Sequence, residues 1–551
     1  MHLIKQDLKH LDKEFPVKRK IRRITIPGLI AIIAVTVLLL SPFGEKIAAS
    51  GNDLYLKLKV MNDIISIVND YYVEVPDWDK VMEGAYSGIM ESLDPHSFYI
   101  TKKDLSGINE EFSGKFEGIG IEFDVLDGYI TVIAPVAGAP AEKVGIEVGD
   151  KIVKINGESA YKIKRENVSK KLRGPKGTTV TVTIRRPGVE DFDVTITRDE
   201  IPLYSVSAAF MLDDSTGYIF VNRFSGTTAN EVISALDRLR SEGMKRLVLD
   251  LRNNGGGLMD QAINIADLFL DGHKMIVYTK GRIRGANDEF YSGRLDGYGN
   301  VPLVILINRG SASASEIVSG AIQDHDRGVI VGETSFGKGL VQRQYPLRDG
   351  SAIRMTIARY YTPSGRLIQR PYDGTLEEYY ENLYETDRDS LLAAQDSVES
   401  RPQYQTDAGR IVYGGGGISP DHHVKFERDL SHDTYKLLRH PSRVLFEYTN
   451  QTAKEYRKYK NKKDKFFGKL EISDNDFEDF LTKVREKDIN VDFDNIRKDA
   501  DYIKMMLKAE LAREFWGYDE YYRVIRTYDN QVREAIQYFG EARKMLSGER
   551  G

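Results

Sequence analysis

Three serines alternate with alanines in a short segment that precedes an apolar, helix-like stretch. Residues 308–316 read Asn-Arg-Gly-Ser-Ala-Ser-Ala-Ser-Glu and follow the apolar run Leu303–Ile307, which predicts a strand. Small side chains let a second chain approach the backbone closely, and N–H groups at a helix start stabilise a developing oxyanion. The segment therefore suits a serine nucleophile. The same pattern is also typical of an ordinary helix start, with Ser315 and Glu316 as capping residues.

A serine nucleophile needs a base, and two residues downstream of the serines are candidates. Lys338 lies between Gly337 and Gly339, beside apolar residues. Burial lowers the pKa of a lysine because it disfavours the charged ammonium, so Lys338 would accept a proton near neutrality. His325 is the only histidine close to the serines, and its neighbours match neither a nucleophile elbow nor a trypsin-like motif. A phosphate loop around Lys338 is disfavoured because the full Walker spacing is absent.

A glycine-rich turn supplies a further candidate for the same chemistry. Residues 250–257 read Asp-Leu-Arg-Asn-Asn-Gly-Gly-Gly and join a predicted buried strand, Arg246–Leu251, to a predicted helix, Leu258–Leu270. A glycine N–H in this turn would be a second donor to an oxyanion. The alternative is a tight strand–helix turn without a chemical role.

A second kind of site is indicated by Gly118-Ile119-Gly120-Ile121. Flexible backbone between β-prone residues lets successive N–H groups turn toward one anion, such as a peptide's terminal carboxylate, while the next strand pairs with the peptide. The string that follows, residues 133–157, ends in an Asn-Gly hairpin turn. The whole string resembles a PDZ domain of the bacterial, circularly permuted kind. A generic small β-barrel is the alternative.

These motifs lie in a chain of 551 residues, a length that predicts three or four domains. Apolar periodicity predicts a helical region over 54–111 and short strands over 112–199. Strands then alternate with helices over 200–430, an α/β pattern that includes helices at Glu231–Glu242 and Ser315–Gln323 and a strand at Val329–Val331. We expect an acidic, Tyr-rich insertion at about 375–406 and a helical C-terminal domain over 431–551.

The N-terminal residues predict where in the cell the protein lies. Residues 1–23 carry eight bases against three acids, and the uncharged run Ile24–Leu40 follows. Seventeen residues span about 25 Å as a helix, close to the thickness of a membrane core. We expect a cytoplasmic leader, a signal anchor at 24–41 and a body held at the inner membrane on the periplasmic side. A cleaved signal and a soluble periplasmic body are the alternative.

Composition excludes several classes of protein. Eighty-three acidic residues against 78 basic ones give a net charge of −5, which argues against a dedicated nucleic-acid binder. The absence of cysteine excludes disulfides, cysteine nucleophiles and cysteine-ligated metals. Neither an HExxH motif nor a P-loop occurs, so no metal or nucleotide cofactor is expected.

Taken in order, the motifs resemble those of the carboxyl-terminal processing peptidases, or tail-specific proteases. These are Leu-Asp-Pro-His-Ser (93–97), the PDZ string, the glycine-rich turn, the serine segment, Phe-Gly-Lys-Gly-x-x-Gln (336–342) and Tyr-Thr-Pro-Ser-Gly (361–365). The resemblance covers about residues 55–425. It implies a multidomain serine endopeptidase with a crotonase-like α/β core and an inserted PDZ domain that captures substrate C-termini and gates the active site. The helical C-terminal extension lies outside the family pattern.

The resemblance also assigns roles to single residues. It implies Ser313 as nucleophile, Lys338 as general base, Gln342 as the group that orients the lysine amine, and the N–H groups of Ala314 and Gly256 as oxyanion donors. The family usually has proline where Gly255 stands, so each glycine of 255–257 is a candidate donor. Asp324 matches an accessory acid of some members, and a structural role for it is the alternative.

Two functions from different classes follow from this reading. The favoured one is an envelope endopeptidase that binds free C-terminal tails of proteins and cleaves through an acyl-enzyme, with no cofactor. The alternative is a catalytically silent or latent PDZ scaffold that binds C-terminal tails. For the C-terminal domain, an assembly domain with self-association, an adaptor-binding platform and a lid are the open alternatives. A scaffold has no need of the Ser313, Lys338 and Gln342 set, which favours the enzyme.

Overall fold

The structure is a computed structural model that describes residues 42–293, 297–372, 378–379 and 401–548. The expected leader, the expected anchor at 24–41 and most of the expected insertion lie outside the described residues. The chain forms two compact units, one ending at Ala85 and the other beginning at Tyr86.

The first unit contains helix α1 (Pro42–Tyr71) and the beginning of helix α2 (Trp78–Glu91). α1 has 30 residues, but charged side chains such as Lys57 and Asp63 interrupt its apolar positions. Among the described residues, no helix is both long enough and apolar enough to cross a membrane. On this finding we withdraw the expectation of inner-membrane anchoring and the periplasmic placement drawn from it.

In the second unit, strand β1 (Phe98–Ile100) and helix α3 (Lys102–Ser113) lead into a PDZ-like domain of short strands. Its elements are β2 (Lys115–Gly118), β3 (Ile121–Leu126), β4 (Tyr129–Pro135), α4 (Pro140–Lys143), β5 (Lys151–Ile155), β6 (Glu158–Ser159), α5 (Arg165–Leu172), β7 (Thr179–Arg185), β8 (Phe192–Thr197) and β9 (Asp199–Pro202). The main sheet has the order β3-β4-β5-β7-β8, with β6 on β5. β2 pairs antiparallel with β9, so the entry and exit of the domain lie side by side, as an inserted domain requires.

Within the described residues, the α/β region that follows contains two large sheets and one two-stranded sheet. Its elements are β10 (Val206–Met211), β11 (Thr216–Val221), α6 (Thr228–Ser241), β12 (Arg246–Asp250), α7 (Met259–Asp267), β13 (Met275–Gly281), β14 (Glu289–Tyr291), β15 (Leu303–Ile307), α8 (Ala314–Asp324), β16 (Val329–Gly332), β17 (Leu340–Pro346), β18 (Ala352–Tyr361), β19 (Gln403–Gln405), β20 (Ile411–Tyr413) and β21 (His422–His423). The first sheet has the order β10-β11-β12-β15-β16-β21. All of its strands except β10 run parallel, and we call it the parallel sheet. The second sheet is antiparallel, in the order β1-β18-β13-β14 with β17 on β18.

The parallel sheet is buried on both faces, as parallel sheets usually are. One face packs with α6, α7 and α8 in a cluster that includes Leu236, Ile265, Ile305 and Val318. The other face includes Tyr218, Val248 and Val304. Apolar residues near the C-terminus, between Val532 and Ala542, cover it. The apolar strand predicted at Leu303–Ile307 has these bounds in the structure because every residue in it is buried.

The C-terminal region is helical over its described residues. Its helices are α9 (His432–Leu438), α10 (Val444–Tyr456), α11 (Lys463–Lys469), α12 (Asp474–Glu486), α13 (Phe493–Lys498), α14 (Ala500–Trp516), α15 (Tyr518–Thr527), α16 (Asn530–Gln537) and α17 (Phe539–Ser547). α9 to α15 surround a core of their own, which includes Phe466 and Phe480. α16 and α17 instead lay Val532 and Phe539 on the open face of the parallel sheet.

Candidate active site

Three loops meet because they follow three neighbouring parallel strands. The glycine-rich turn follows β12, the serine segment follows β15, and the loop with Lys338 follows β16. The carboxyl ends of parallel strands meet at one edge of the sheet, where ligands bind in open α/β folds. Sequence segments as far apart as 255 and 338 therefore line one cavity of about 730 Å³.

Ser313 occupies a strained turn at the start of α8. Its φ of 55° and ψ of −110° lie in a region that non-glycine residues rarely adopt. The helix begins at Ala314, so the cap is Ser313, two residues before the Ser315 cap that an ordinary helix start would have. The side chains of Ser311 and Ser315 point inward and donate to the carbonyls of Leu251 and Asn254. Of the three serines, Ser313 is the one that lines the cavity.

Glu316 ties the serine turn to the lysine loop. Its fully buried carboxylate accepts the N–H of Ser313 at 2.8 Å, of Gly337 at 2.7 Å and of Lys338 at 2.9 Å. The Ser335 hydroxyl donates to the same group at 2.5 Å. Burial raises the pKa of Glu316 above its ordinary value, and the four donors oppose that shift. One side chain thus fixes the backbone of both the candidate nucleophile and the candidate base.

The amine of Lys338 is held by Gln342 and is poorly hydrated. Lys338 Nζ donates to Gln342 Oε1 at 3.0 Å, and Gln342 Nε2 donates to the carbonyl of His96. Burial lowers the pKa of Lys338 to about 8, and the nearby Arg354 guanidinium acts in the same direction. A fraction of the lysine is therefore neutral near physiological pH. The His96 imidazole has a pKa lowered to about 3, mainly by burial, so that ring stays neutral.

The glycine-rich turn lies against the serine turn. Gly256 has a φ of +97°, and a Cβ built on it would approach Ala312 O to 2.7 Å and Ser313 Cβ to 2.8 Å, so only glycine fits. The Gly256 N–H, the predicted oxyanion donor, donates to Asn254 Oδ1 at 2.9 Å. Use of that N–H by an oxyanion would require this hydrogen bond to break.

Two polar residues of the same region lie away from this cavity. Asp324 is buried at the end of α8, where it pairs with the buried Arg366 at 2.6 Å and accepts the Ser364 N–H at 2.9 Å. His325 contacts Asp407 Oδ2 at 2.9 Å and the Met275 carbonyl at 2.6 Å. Neither side chain lines the cavity that holds Ser313.

The expected tail-binding segment lies at the free edge of the PDZ-like sheet. Gly118 ends β2 and Ile121 begins β3; between them the carbonyls of Ile119 and Gly120 accept N–H groups of the 136–141 loop. Among the described residues, no strand pairs with the outer edge of β3. Apolar residues of β3 share a cluster with Val168 of α5. An open edge beside an apolar helix face is the arrangement that receives a peptide as an added strand.

Sequence reasoning missed two residues of the site. Glu316 was assigned to an ordinary helix cap, although Ser-Ala-Ser-Glu (313–316) is a capping-box pattern that indicates a cap at Ser313. Tyr360 was not singled out; its buried hydroxyl donates to the carbonyls of Ser313 at 3.1 Å and Lys338 at 2.7 Å. No local pattern identifies Tyr360, because its role depends on β18 packing beside α8.

Comparisons with known proteins identify the family of this chain. Residues 215–376 match peptidase family S41, and residues 131–186 match the PDZ domain. The carboxy-terminal processing protease CtpA of Bacillus subtilis is 36% identical over 64% of this chain and 76% of its own length. The chain belongs to the carboxy-terminal processing proteases. The family resemblance and the serine-type peptidase class predicted from the sequence are confirmed.

Other relatives of this peptidase extend the comparison. A carboxy-terminal-processing protease of Bartonella bacilliformis is 36% identical over 67% of this chain and 92% of its own length. Among solved structures, a photosystem II D1 C-terminal processing protease is 29% identical, with a TM-score of 0.31 over 55% of this chain and 88% of that chain. Residues 441–517 match a family of unknown function (DUF8443), so the comparison assigns no role to the C-terminal helices.

Proposed function

We propose that this peptidase binds the free C-terminal tails of proteins through its PDZ-like domain and cleaves the chain nearby with a Ser313–Lys338 dyad. One observation carries the proposal. The amine of Lys338, with its pKa lowered to about 8 by burial and held by Gln342, shares a cavity with Ser313. A base with a pKa near the working pH is the effective choice for general base catalysis. The layered α/β core is consistent with the crotonase-like fold that the family resemblance implies.

The reaction proceeds in two halves. Ser313 Oγ attacks the scissile carbonyl carbon while neutral Lys338 takes the hydroxyl proton. The N–H of Ala314, in the first helical turn and without an intrahelical acceptor, and a glycine N–H of 255–257 stabilise the oxyanion. Breakage of the C–N bond leaves an ester on Ser313, and the Lys338 ammonium gives its proton to the departing amine. Lys338 then removes a proton from water as the water oxygen attacks the ester carbonyl carbon. The ester C–O bond breaks, the Lys338 ammonium returns its proton to Ser313 Oγ, and the acid product leaves.

Tail capture is the second part of the proposal. A peptide added to the free edge of β3 would place its carboxylate at the Gly118–Ile121 turn, with its last side chain against Val168 and Leu172 of α5. The backbone supplies the affinity and the apolar cluster supplies the preference for the last residue.

The experiment compares degradation of an unfolded protein by wild type, Ser313→Ala and Lys338→Ala, with melting curves as a check on folding. We expect each of the two variants to lose cleavage by about a thousandfold or more, because members of a catalytic unit fail together. His325→Ala, the matched control, should retain most of the activity, since His325 lies outside the cavity. Loss of activity in His325→Ala with retention in Lys338→Ala would reject the dyad. A wild type that binds tails but cleaves nothing would favour the scaffold.

A further inference from the structure

The C-terminal helices contact both the PDZ-like domain and the glycine-rich turn of the candidate active site. Helix α15, which we call the strut helix, has one end at the PDZ-like domain and the other at the base of the glycine-rich turn. Its 10 residues span about 15 Å. Neither the family comparison nor the proposed mechanism gives this helix a role.

The first end of the strut helix touches β3, the strand at the free edge of the PDZ-like sheet. The Tyr518 hydroxyl donates to the Glu122 carboxylate. Burial raises the pKa of Tyr518, so its hydroxyl remains a donor at physiological pH. Arg443, at the start of α10, pairs with Asp124 at 2.9 Å. Both carboxylates alternate along β3 with Ile121 and Phe123, which belong to the domain's apolar core. A shift of β3 would therefore change the position of the Glu122 carboxylate that Tyr518 contacts.

The other end of the strut helix reaches the glycine-rich turn through Asp529. Its carboxylate accepts both Nη groups of Arg252, at 2.7 and 3.0 Å. Arg252 is 4% exposed and stands two residues before Asn254, whose side chain accepts the Gly256 N–H. Asn254 O also accepts the Ala312 N–H at 3.0 Å. The position of Arg252 is thus linked by short contacts to the candidate oxyanion donors.

Between these ends, the strut helix is fastened to the edge of the parallel sheet. Asp519 accepts the Ala209 N–H at 2.9 Å, and the Tyr522 ring packs on Phe220 with centroids 5.4 Å apart. Arg526 Nε donates to the buried Tyr218 hydroxyl at 2.6 Å. These contacts brace the helix along its length between its two ends.

We propose that the strut helix couples tail binding on β3 to the glycine-rich turn, with Tyr518 and Asp529 as positioning residues. This inference rests on the proposed function. A tail that pairs with β3 shifts the strand and its Glu122 carboxylate, and the helix passes the shift through Asp529 to Arg252. The gating of the active site by the PDZ domain, which the family resemblance implies, thereby passes through the C-terminal domain.

The test uses the full chain and two fluorogenic peptides that differ only in a free or amidated C-terminal carboxylate. The ratio of their kcat/KM values defines the tail advantage. Tyr518→Phe removes one hydroxyl at the β3 end of the strut helix, and Tyr528→Phe is the matched control because the Tyr528 side chain is 59% exposed. We expect Tyr518→Phe to lower the tail advantage about fivefold or more through kcat, with the amidated peptide and the melting temperature unchanged. Tyr528→Phe should behave as wild type.

A reciprocal measurement separates coupling from a merely structural role. A fluorophosphonate on Ser313 should change the affinity of wild type for a fluorescent peptide that ends in a free valine carboxylate, because coupling between two sites is mutual. In Tyr518→Phe the affinity should no longer respond to the label. Asp529→Asn, at the other end of the route, should lower kcat for both substrates and should likewise remove the response of the affinity to the label.

The outcomes are distinguishable. A tail advantage in Tyr518→Phe within about twofold of wild type, or an affinity that still responds to the label, overturns the strut helix as the route of coupling. A wild type without any tail advantage rejects tail capture in the proposed function, and the coupling falls with it.

Discussion

At the scale of residues, the proposed chemistry depends on one lysine amine whose pKa is lowered. In that proposal Lys338 is a useful base because burial, more than any neighbouring charge, lowers its pKa to about 8. The Gln342 amide oxygen accepts one N–H from the amine and leaves its protonation state free to change. A carboxylate in place of Gln342 would favour the charged ammonium and would remove the base.

The pH dependence of cleavage follows from that pKa. The neutral amine is the active form, so kcat/KM should rise with pH and reach half of its plateau near pH 8. Lys338→Arg should be inactive across the range, because a guanidinium does not lose its proton. The measurement is kcat/KM of an amidated peptide from pH 5.5 to 9.5. A midpoint near 6.5 would instead indicate a histidine base.

At the scale of elements, the loops are fixed by buried polar groups at the ends of helices and strands. Glu316 in the first turn of α8 binds the lysine loop, and Asp324 at the last residue of α8 binds the turn after β18 through Arg366. The Asp324 and Arg366 side chains are at most 1% exposed. The residue that matches the accessory acid of the family pattern therefore forms a buried ion pair with Arg366.

Loss of the Asp324–Arg366 ion pair should lower the free energy of unfolding and leave kcat unchanged. Asp324→Ala leaves a buried guanidinium without its counter-ion, which should lower the free energy of unfolding by about 3–5 kcal/mol. Adding Arg366→Met should recover part of the loss, because it removes the unpaired charge. Urea unfolding of the two variants and wild type measures both effects. Loss of kcat in Asp324→Ala without a loss of stability would assign the acid to catalysis.

The sequence predicted helices and strands better than it predicted the contacts between them. Leu303–Ile307 is apolar throughout, so its strand was predicted with the observed bounds. The helix expected at Ser315–Gln323 extends over Ala314–Asp324, because Ser313 and Glu316 set its start. Tyr360, the strut helix and the sheet-covering role of α16 depend on contacts between distant segments. Local periodicity carries no information about such partners.

At the scale of the whole molecule, the C-terminal helices complete the peptidase core and do not merely follow it. A parallel sheet needs cover on both faces, and within the described residues α6 to α8 cover one of them. α16 and α17 cover the other with Val532, Ala535, Phe539 and Ala542. The two helices that follow the strut helix in the chain therefore close the hydrophobic core of the sheet that carries the glycine-rich turn.

Removal of one aromatic ring of α17 tests whether the C-terminal helices stabilise the parallel sheet. Phe539 is 1% exposed, packs on the sheet and lies under the Arg246 guanidinium at 4.8 Å. Phe539→Ala should lower the free energy of unfolding of the peptidase core by about 3–5 kcal/mol, since it leaves a cavity beneath the parallel sheet. Phe426→Ala is the matched control because Phe426 is 42% exposed, and it should cost much less. Equal, small losses in both variants, measured by urea unfolding, would show that the sheet is stable without its C-terminal cover.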